Sequence, residues 1–114
     1  MILDLRIQHE PETRTIWVFA YVADREIGRC SVRRSTDHSW YIAHGMVDEN
    51  HRQKGVFRKM YKALMECVDK RDPWLVSVVC NRTLLPFFEA EGFKTLFSSI
   101  QYGYEEWFAV KEYT

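Results

Sequence analysis

The run His51-Arg52-Gln53-Lys54-Gly55-Val56-Phe57-Arg58-Lys59 gathers the residue types that hold a phosphate. Arg52, Lys54, Arg58 and Lys59 bring positive charge, and Gly55 lacks the Cβ that would keep an anion off the backbone. Just before it, Tyr41 to Val47 reads as the end of a strand; just after it, a helical pattern begins. Amides at a helix start have no partner inside the helix and sit at the positive end of its dipole, so they attract anions. Strand, basic glycine turn and helix together make a candidate diphosphate cradle. Taken alone, the same run also reads as a solvated basic helix start.

The elements around this turn follow from periodicity. Residues 2–8 alternate as a short strand, which Glu10-Pro11-Glu12 breaks. Thr15 to Val22 is rich in β-branched and aromatic residues, and Ala23-Asp24-Arg25-Glu26 reads as a turn. Ile27 to Arg33 alternates apolar and polar, which predicts the second arm of a hairpin with one wet face. Ser35-Thr36-Asp37-His38 turns the chain into a third strand, Trp40 to Val47. From Val56 to Lys70 the period becomes 3.6, with Phe57, Met60, Tyr61, Leu64 and Val68 as the apolar stripe, and Asp72-Pro73 as the stop. Trp74 to Cys80 is a nearly continuous apolar run, the pattern of a strand covered on both faces. Strand, helix and buried strand form a right-handed βαβ unit. Asn81-Arg82-Thr83 caps a short helix from Leu84 to Glu91, which Gly92 ends. Strands at 94–100 and 104–111 follow, hinged near Gly103. The pattern is α+β: a mixed central sheet, antiparallel in its N-terminal half, with one parallel junction and helices on its faces.

Composition bounds the partners. The chain has 114 residues, 46% hydrophobic and 15% aromatic, which is enough for one domain spanning 1–114 with its own core. The net charge is zero, so no general attraction to nucleic acid or membrane is expected. No apolar run approaches the roughly 20 residues that span a bilayer, and the N-terminus lacks a signal-peptide core. Cys30, Cys67 and Cys80 are odd in number, show no CxxC spacing, and read as reduced, buried thiols of a cytoplasmic protein. No His/Cys/Asp cluster has metal-ligand spacing, so no metal is expected. Trp17, Trp40, Trp74 and Trp107 fall in expected strands and read as packing.

Three segments, in this order on these elements, resemble the GCN5-related N-acetyltransferase (GNAT) superfamily over residues 14–112. Val47-Asp48-Glu49-Asn50-His51-Arg52-Gln53-Lys54-Gly55-Val56 is similar to the family's acetyl-CoA motif. Val78-Val79-Cys80-Asn81 resembles its fifth strand and the asparagine that follows. Phe87-Phe88-Glu89-Ala90-Glu91-Gly92-Phe93 resembles its "F-Y-E-K-L-G-F" segment. The resemblance implies the acyl-CoA N-acyltransferase fold, with the N-terminal helix pair reduced. It also implies acetyl-CoA as co-substrate. The pyrophosphate would then rest on the amides of Arg52, Gln53, Lys54, Gly55, Val56, Phe57 and Arg58. The pantetheine arm would lie along Met46 and Val47, between strands that diverge at a bulge near Ala43 to Met46. Asn81 would bond to that arm, with Phe87 and Phe88 flanking it.

Two positions depart from the family pattern. Phe57 replaces a second small residue, and the helical stripe points it to the core. Phe88 stands where many members carry a tyrosine that protonates the departing thiolate, and phenylalanine has no such proton. A thiol is a fair leaving group without help, its pKa being about 8.5. Tyr102 and Tyr104, on the last hairpin, are the candidates to supply that proton instead.

The implied reaction is direct attack of a primary amine on the acetyl carbonyl. Removing a lysine-type proton at pH 7 costs about 4–5 kcal/mol from a pKa of about 10.4, so a base is needed. Glu49 and His44 are the candidates, with His38 beside them. An amide of Met46 or Val47 would hold the carbonyl oxygen as charge builds. The missing helix pair leaves an open acceptor groove, which suits a protein lysine or N-terminus. The edges of a short sheet allow a homodimer. The competing reading is a catalytically impaired binding or structural module on the same fold, for example a virion-associated protein.

Overall fold

The computed structural model describes residues 2–36, 38–68 and 74–113, apart from the side chain of His44. These residues cluster in two compact units, Met1–Arg34 with Ile42–Asp69, and Ser35–Tyr41 with Lys70–Thr114. The first holds β1 (Asp4–Glu10), β2 (Thr15–Val22), most of β3 (Arg25–Thr36), the later part of β4 (Ser39–Val47) and helix α1 (Val56–Glu66). The second holds the start of β4, β5 (Trp74–Cys80), helix α2 (Leu85–Ala90), β6 (Lys94–Gln101) and β7 (Tyr104–Tyr113). Strand order is β1-β2-β3-β4 in the first and β4-β5-β7-β6 in the second, a mixed sheet with two helices. Between β1 and β2 stands only a single 3-10 turn, Pro11–Thr13, so the expected reduction of the N-terminal helices is real. No helix among the described residues is long and apolar enough to cross a membrane.

Within the first unit, β1, β2 and β3 form an antiparallel meander. The turn between β2 and β3 is shorter than expected. Only Ala23 and Asp24 leave the ladder, both at positive φ (50° and 62°), the backbone that matches a two-residue hairpin to strand twist. Arg25 and Glu26 already pair with Val22 and Tyr21, and Ile27 is the extra residue of a bulge. The wet face expected on β3 is largely absent. Ser31 is fully buried opposite Trp17, whose indole stacks on Phe19 at 5.7 Å, so large rings keep water off that face. Arg29, whose guanidinium lies 5.3 Å from the Phe19 ring, is half-buried, and Arg33 is exposed.

Helix α1 packs on β2 through Val56, Met60, Tyr61, Leu64 and Met65. Val56 and Met65 join the expected Met60, Tyr61, Leu64 and Val68 in the buried stripe, while Phe57 is half-buried on its flank. The helix also ends earlier, at Glu66, because Cys67 and Val68 bond back to Leu64 and Met65 in tighter turns. The stop expected at Asp72-Pro73 lies outside the described residues, as does Asp37 of the expected turn.

In the second unit, β5 takes the expected bounds but not the expected burial. Trp74, Val76, Val78 and Cys80 are buried, while Val79 on the opposite face is exposed. The second face is therefore only partly covered, with Leu75 and Ser77 half-buried and Val79 open. Helix α2 is trimmed to Leu85–Ala90 at both ends, and Gly92 follows it at φ +97. Tyr102 and Gly103, at φ 53° and 81°, make a second two-residue hairpin turn between β6 and β7. Cys30 and Cys80 are buried free thiols, with pKa pushed up by desolvation to about 12 and about 11. Cys67 is half-buried, and loss of water also raises its pKa.

Candidate functional site

Strand β4 delivers Met46 and Val47 to the start of the basic turn, and Met46 is 57% exposed at that point. Its backbone is fixed from behind by β3. A Cβ on Gly28 would stand 2.8 Å from the Met46 carbonyl oxygen and 3.2 Å from the end of Met60, so only glycine permits that approach. The amide of Asp48 donates to the Ile27 carbonyl at 2.6 Å, tying the strand end to the β3 bulge.

Glu49–His51 then forms a 3-10 turn. The Asp48 carboxylate accepts from the His51 ring, Nδ1 to Oδ2 being 3.0 Å, and the His51 amide donates to the Asp48 carbonyl at 2.9 Å. That ring hydrogen bond is the largest cause holding the Asp48 carboxyl below its ordinary pKa, and Arg25 adds attraction. Arg52 reaches back so that its Nε donates to the Val47 carbonyl at 3.0 Å, and its amide turns to Glu49. The turn is closed on itself at both ends.

Next comes the reversal. Gln53 (φ 63°) and Gly55 (φ 76°) both adopt the left-handed conformation. Reversed residues ahead of a helix aim successive amides toward one point, an anion-binding concavity. For Gln53, strain of this kind costs about 1–3 kcal/mol and collects at functional sites. Gly55 is the N-cap of α1, no side chain caps the helix, and the first helical bond runs from the Lys59 amide to the Gly55 carbonyl. Beyond Gly55 and its chain neighbours, no atom of the described residues lies within 4 Å of where a Cβ on Gly55 would be. That open space is what a diphosphate resting on the amides requires. Arg52, Gln53, Lys54, Arg58 and Lys59 are exposed around it, as is Glu49.

The remaining candidates lie in the second unit. Asn81 is exposed, and its Oδ1 accepts from the Leu84 amide at 3.0 Å, capping the turn that leads into α2. Phe87 is half-buried, with its ring edge-on to Phe88 at 5.3 Å. Phe88 is 1% exposed and also meets the Phe93 ring edge-on at 5.2 Å. Tyr102 stands on the hairpin tip at 97% exposure, and Tyr104 is exposed beside it. His38 is exposed, while the His44 side chain lies outside the described residues. The described residues include no group of three or more His, Cys, Asp or Glu arranged to hold a metal.

Met46, Val47, Glu49 and residues 52–58 thus lie on one continuous segment, from the end of β4 through the turn into the start of α1. Three features of that turn escaped the sequence reading: the Asp48–His51 pair, the close approach at Gly28, and the reversed backbone at Gln53. The D-x-x-H spacing signals the first only once a 3-10 turn is known. Glutamine carries no signal for positive φ at all.

Comparison with solved structures gives the same fold. The chain is similar to Escherichia coli ElaA at TM-score 0.73 and 17% identity, covering 85% of this chain and 68% of that one. It resembles the IAA acetyltransferase from Bacillus cereus at TM-score 0.73 and 12% identity, over 98% of this chain and 100% of that one. A GNAT family acetyltransferase from Elizabethkingia anophelis with acetyl-CoA bound matches at TM-score 0.73 and 10% identity, over 97% and 98%. Among curated proteins, none matches the chain. The family model described as acetyltransferase (GNAT) domain matches residues 3–108, and by that match the chain belongs to the GNAT acetyltransferase family.

Proposed function

We propose that this protein is an acetyl-CoA-dependent N-acetyltransferase acting on a primary amine, with its basic turn holding the diphosphate of the co-substrate. The observation that carries this reading is the reversed backbone at Gln53 and Gly55, opening on empty space ahead of the uncapped helix α1. Acetyl-CoA, when bound, supplies an acetyl group on a thiol leaving group. The amides of 53–58 bind its diphosphate, Arg52 and Lys54 add charge, and the exposed strand end at Met46 and Val47 receives the arm. Asn81, Phe87 and Phe88 are assigned to the arm by family resemblance, with the Phe88 ring serving first as core. Glu49, exposed just past the strand end, is the candidate that accepts the amine proton, alone or through water. Tyr102, fully exposed, is the candidate proton donor to the thiolate.

Only a 3-10 turn separates β1 from β2, so the acceptor side carries little cover; this favours a large acceptor such as a protein amine. A cytoplasmic setting suits three free cysteines and belongs to the same proposal. One observation favours a second reading, a binding or structural module with impaired turnover: position 88 holds a buried ring with no hydroxyl.

A thermal-shift series with acetyl-CoA tests the first reading. Saturating ligand should add a few kcal/mol of stability to the native chain. Arg52→Glu should remove the shift. Acetyl transfer to an amine panel and to lysate proteins then separates the two readings, since the module binds without turnover. A native chain that shows no shift at millimolar acetyl-CoA sinks the first reading.

A further inference from the structure

We propose that Arg52 is a specificity-determining latch: it opens the end of β4 to thioesters that carry a diphosphate and closes it to those that do not. The proposal rests on the acetyl-CoA reading and gives Arg52 a task beyond its charge. Two contacts fix which way the strand end faces. The Asp48 amide donates to the Ile27 carbonyl of β3 at 2.6 Å. In a trans peptide the N–H and the preceding C=O point to opposite sides, so the Val47 carbonyl points away from β3. The Met46 carbonyl lies on the β3 side, against Gly28, as alternation along an antiparallel strand requires. Val47 therefore carries the last outward-facing carbonyl of β4.

That acceptor is already in use. Arg52, five residues on, donates to it from Nε at 3.0 Å. A pantetheine arm laid along Met46 and Val47 brings amide N–H groups that need carbonyls on this side. Arm and guanidinium thus compete for one oxygen. The guanidinium is charged and the arm amide is neutral, so in a direct exchange Arg52 keeps its place.

A stronger acceptor releases it. Arg52 directly precedes the reversed residue Gln53, and the amides beyond it converge on the open space at Gly55. A diphosphate there offers the guanidinium charge-assisted, bidentate bonds that a neutral carbonyl cannot match. The bond to Val47 is exposed to solvent, so it is the weaker of the two. Arg52 moves to the phosphate oxygens and leaves the Val47 carbonyl to the arm amide. An acyl-CoA opens the strand end for itself, while an acyl-pantetheine meets a capped one.

NMR titration of the native chain and of Arg52→Met reads the result. The ligands are acetyl-CoA and S-acetylpantetheine, which has the arm and no phosphate. Arg52→Met should bind acetyl-CoA about tenfold more weakly and S-acetylpantetheine about fivefold more tightly. The proposal requires both signs. In the native chain, the Arg52 Nε–H signal should move as acetyl-CoA is added. Circular dichroism confirms that the variant keeps its fold. A variant that binds both ligands more weakly makes Arg52 a brace of the turn and overturns the proposal. So does unchanged S-acetylpantetheine affinity, for Arg52 then acts by charge alone or shares the oxygen with the arm. A native Nε–H signal that stays in place up to saturation with acetyl-CoA overturns it without any variant. A native chain that binds no acetyl-CoA removes the acyl-CoA reading itself, and the latch with it.

Discussion

The His51 ring nitrogen Nδ1 stands 3.0 Å from Oδ2 of Asp48, and this pair closes the turn between the exposed strand end and the reversed backbone at Gln53. Because the bond lowers the Asp48 pKa, its contribution is present above the unfolded carboxyl value of 3.8 and is lost as pH falls through the lower folded value. The lock is therefore intact at neutral and mildly acidic pH. In His51→Ala, the Asp48 carboxyl should titrate closer to the ordinary range by NMR, and acetyl-CoA affinity should fall severalfold at pH 7. An unchanged Asp48 titration would show that the ring does not control it.

Gly28→Ala tests the close approach behind Met46. The added methyl meets backbone at 2.8 Å, which cannot yield as a side-chain tip can. Overpacking of this kind costs about 1–3 kcal/mol. A lowered urea midpoint with unchanged slope is the expected result.

Gly55 separates stability from binding. Open space surrounds it, so alanine there should lose about 1–2 kcal/mol for its left-handed conformation alone. Gly55→Asn, a residue that tolerates positive φ, should lose less stability yet still weaken acetyl-CoA binding by occupying the space over the amides. Paired thermal melts with and without ligand distinguish the two effects.

Phe88→Ala should cost about 3–5 kcal/mol, the range for removing a buried phenyl ring. Denaturant unfolding measures it. A much smaller loss would mean that the ring serves the ligand rather than the core.

Much of the fold was legible in the chain because it rests on local periodicity. Thr15 to Val22 and Trp74 to Cys80 took their expected bounds, and the switch to a 3.6-residue period at Val56 marked α1. Asn81 announced its cap, with the Leu84 amide on its side chain. The hairpin turns were placed correctly in sequence, but the first was drawn two residues too long because positive φ at Ala23 has no strong residue signature.

What periodicity cannot report is which faces find a cover. Ser31 reads as wet and is buried, while Val79 reads as buried and is exposed. Residue type at 46–58 determined that a basic glycine turn would follow a strand. Only the folded chain decided that Gly28 would press on Met46, that Asp48 would hold His51, and that Gln53 would reverse its backbone. Each of these depends on neighbours distant in sequence or on a strained backbone that the rest of the fold holds in place. Local sequence sets which conformations are favourable, and long-range packing selects among them.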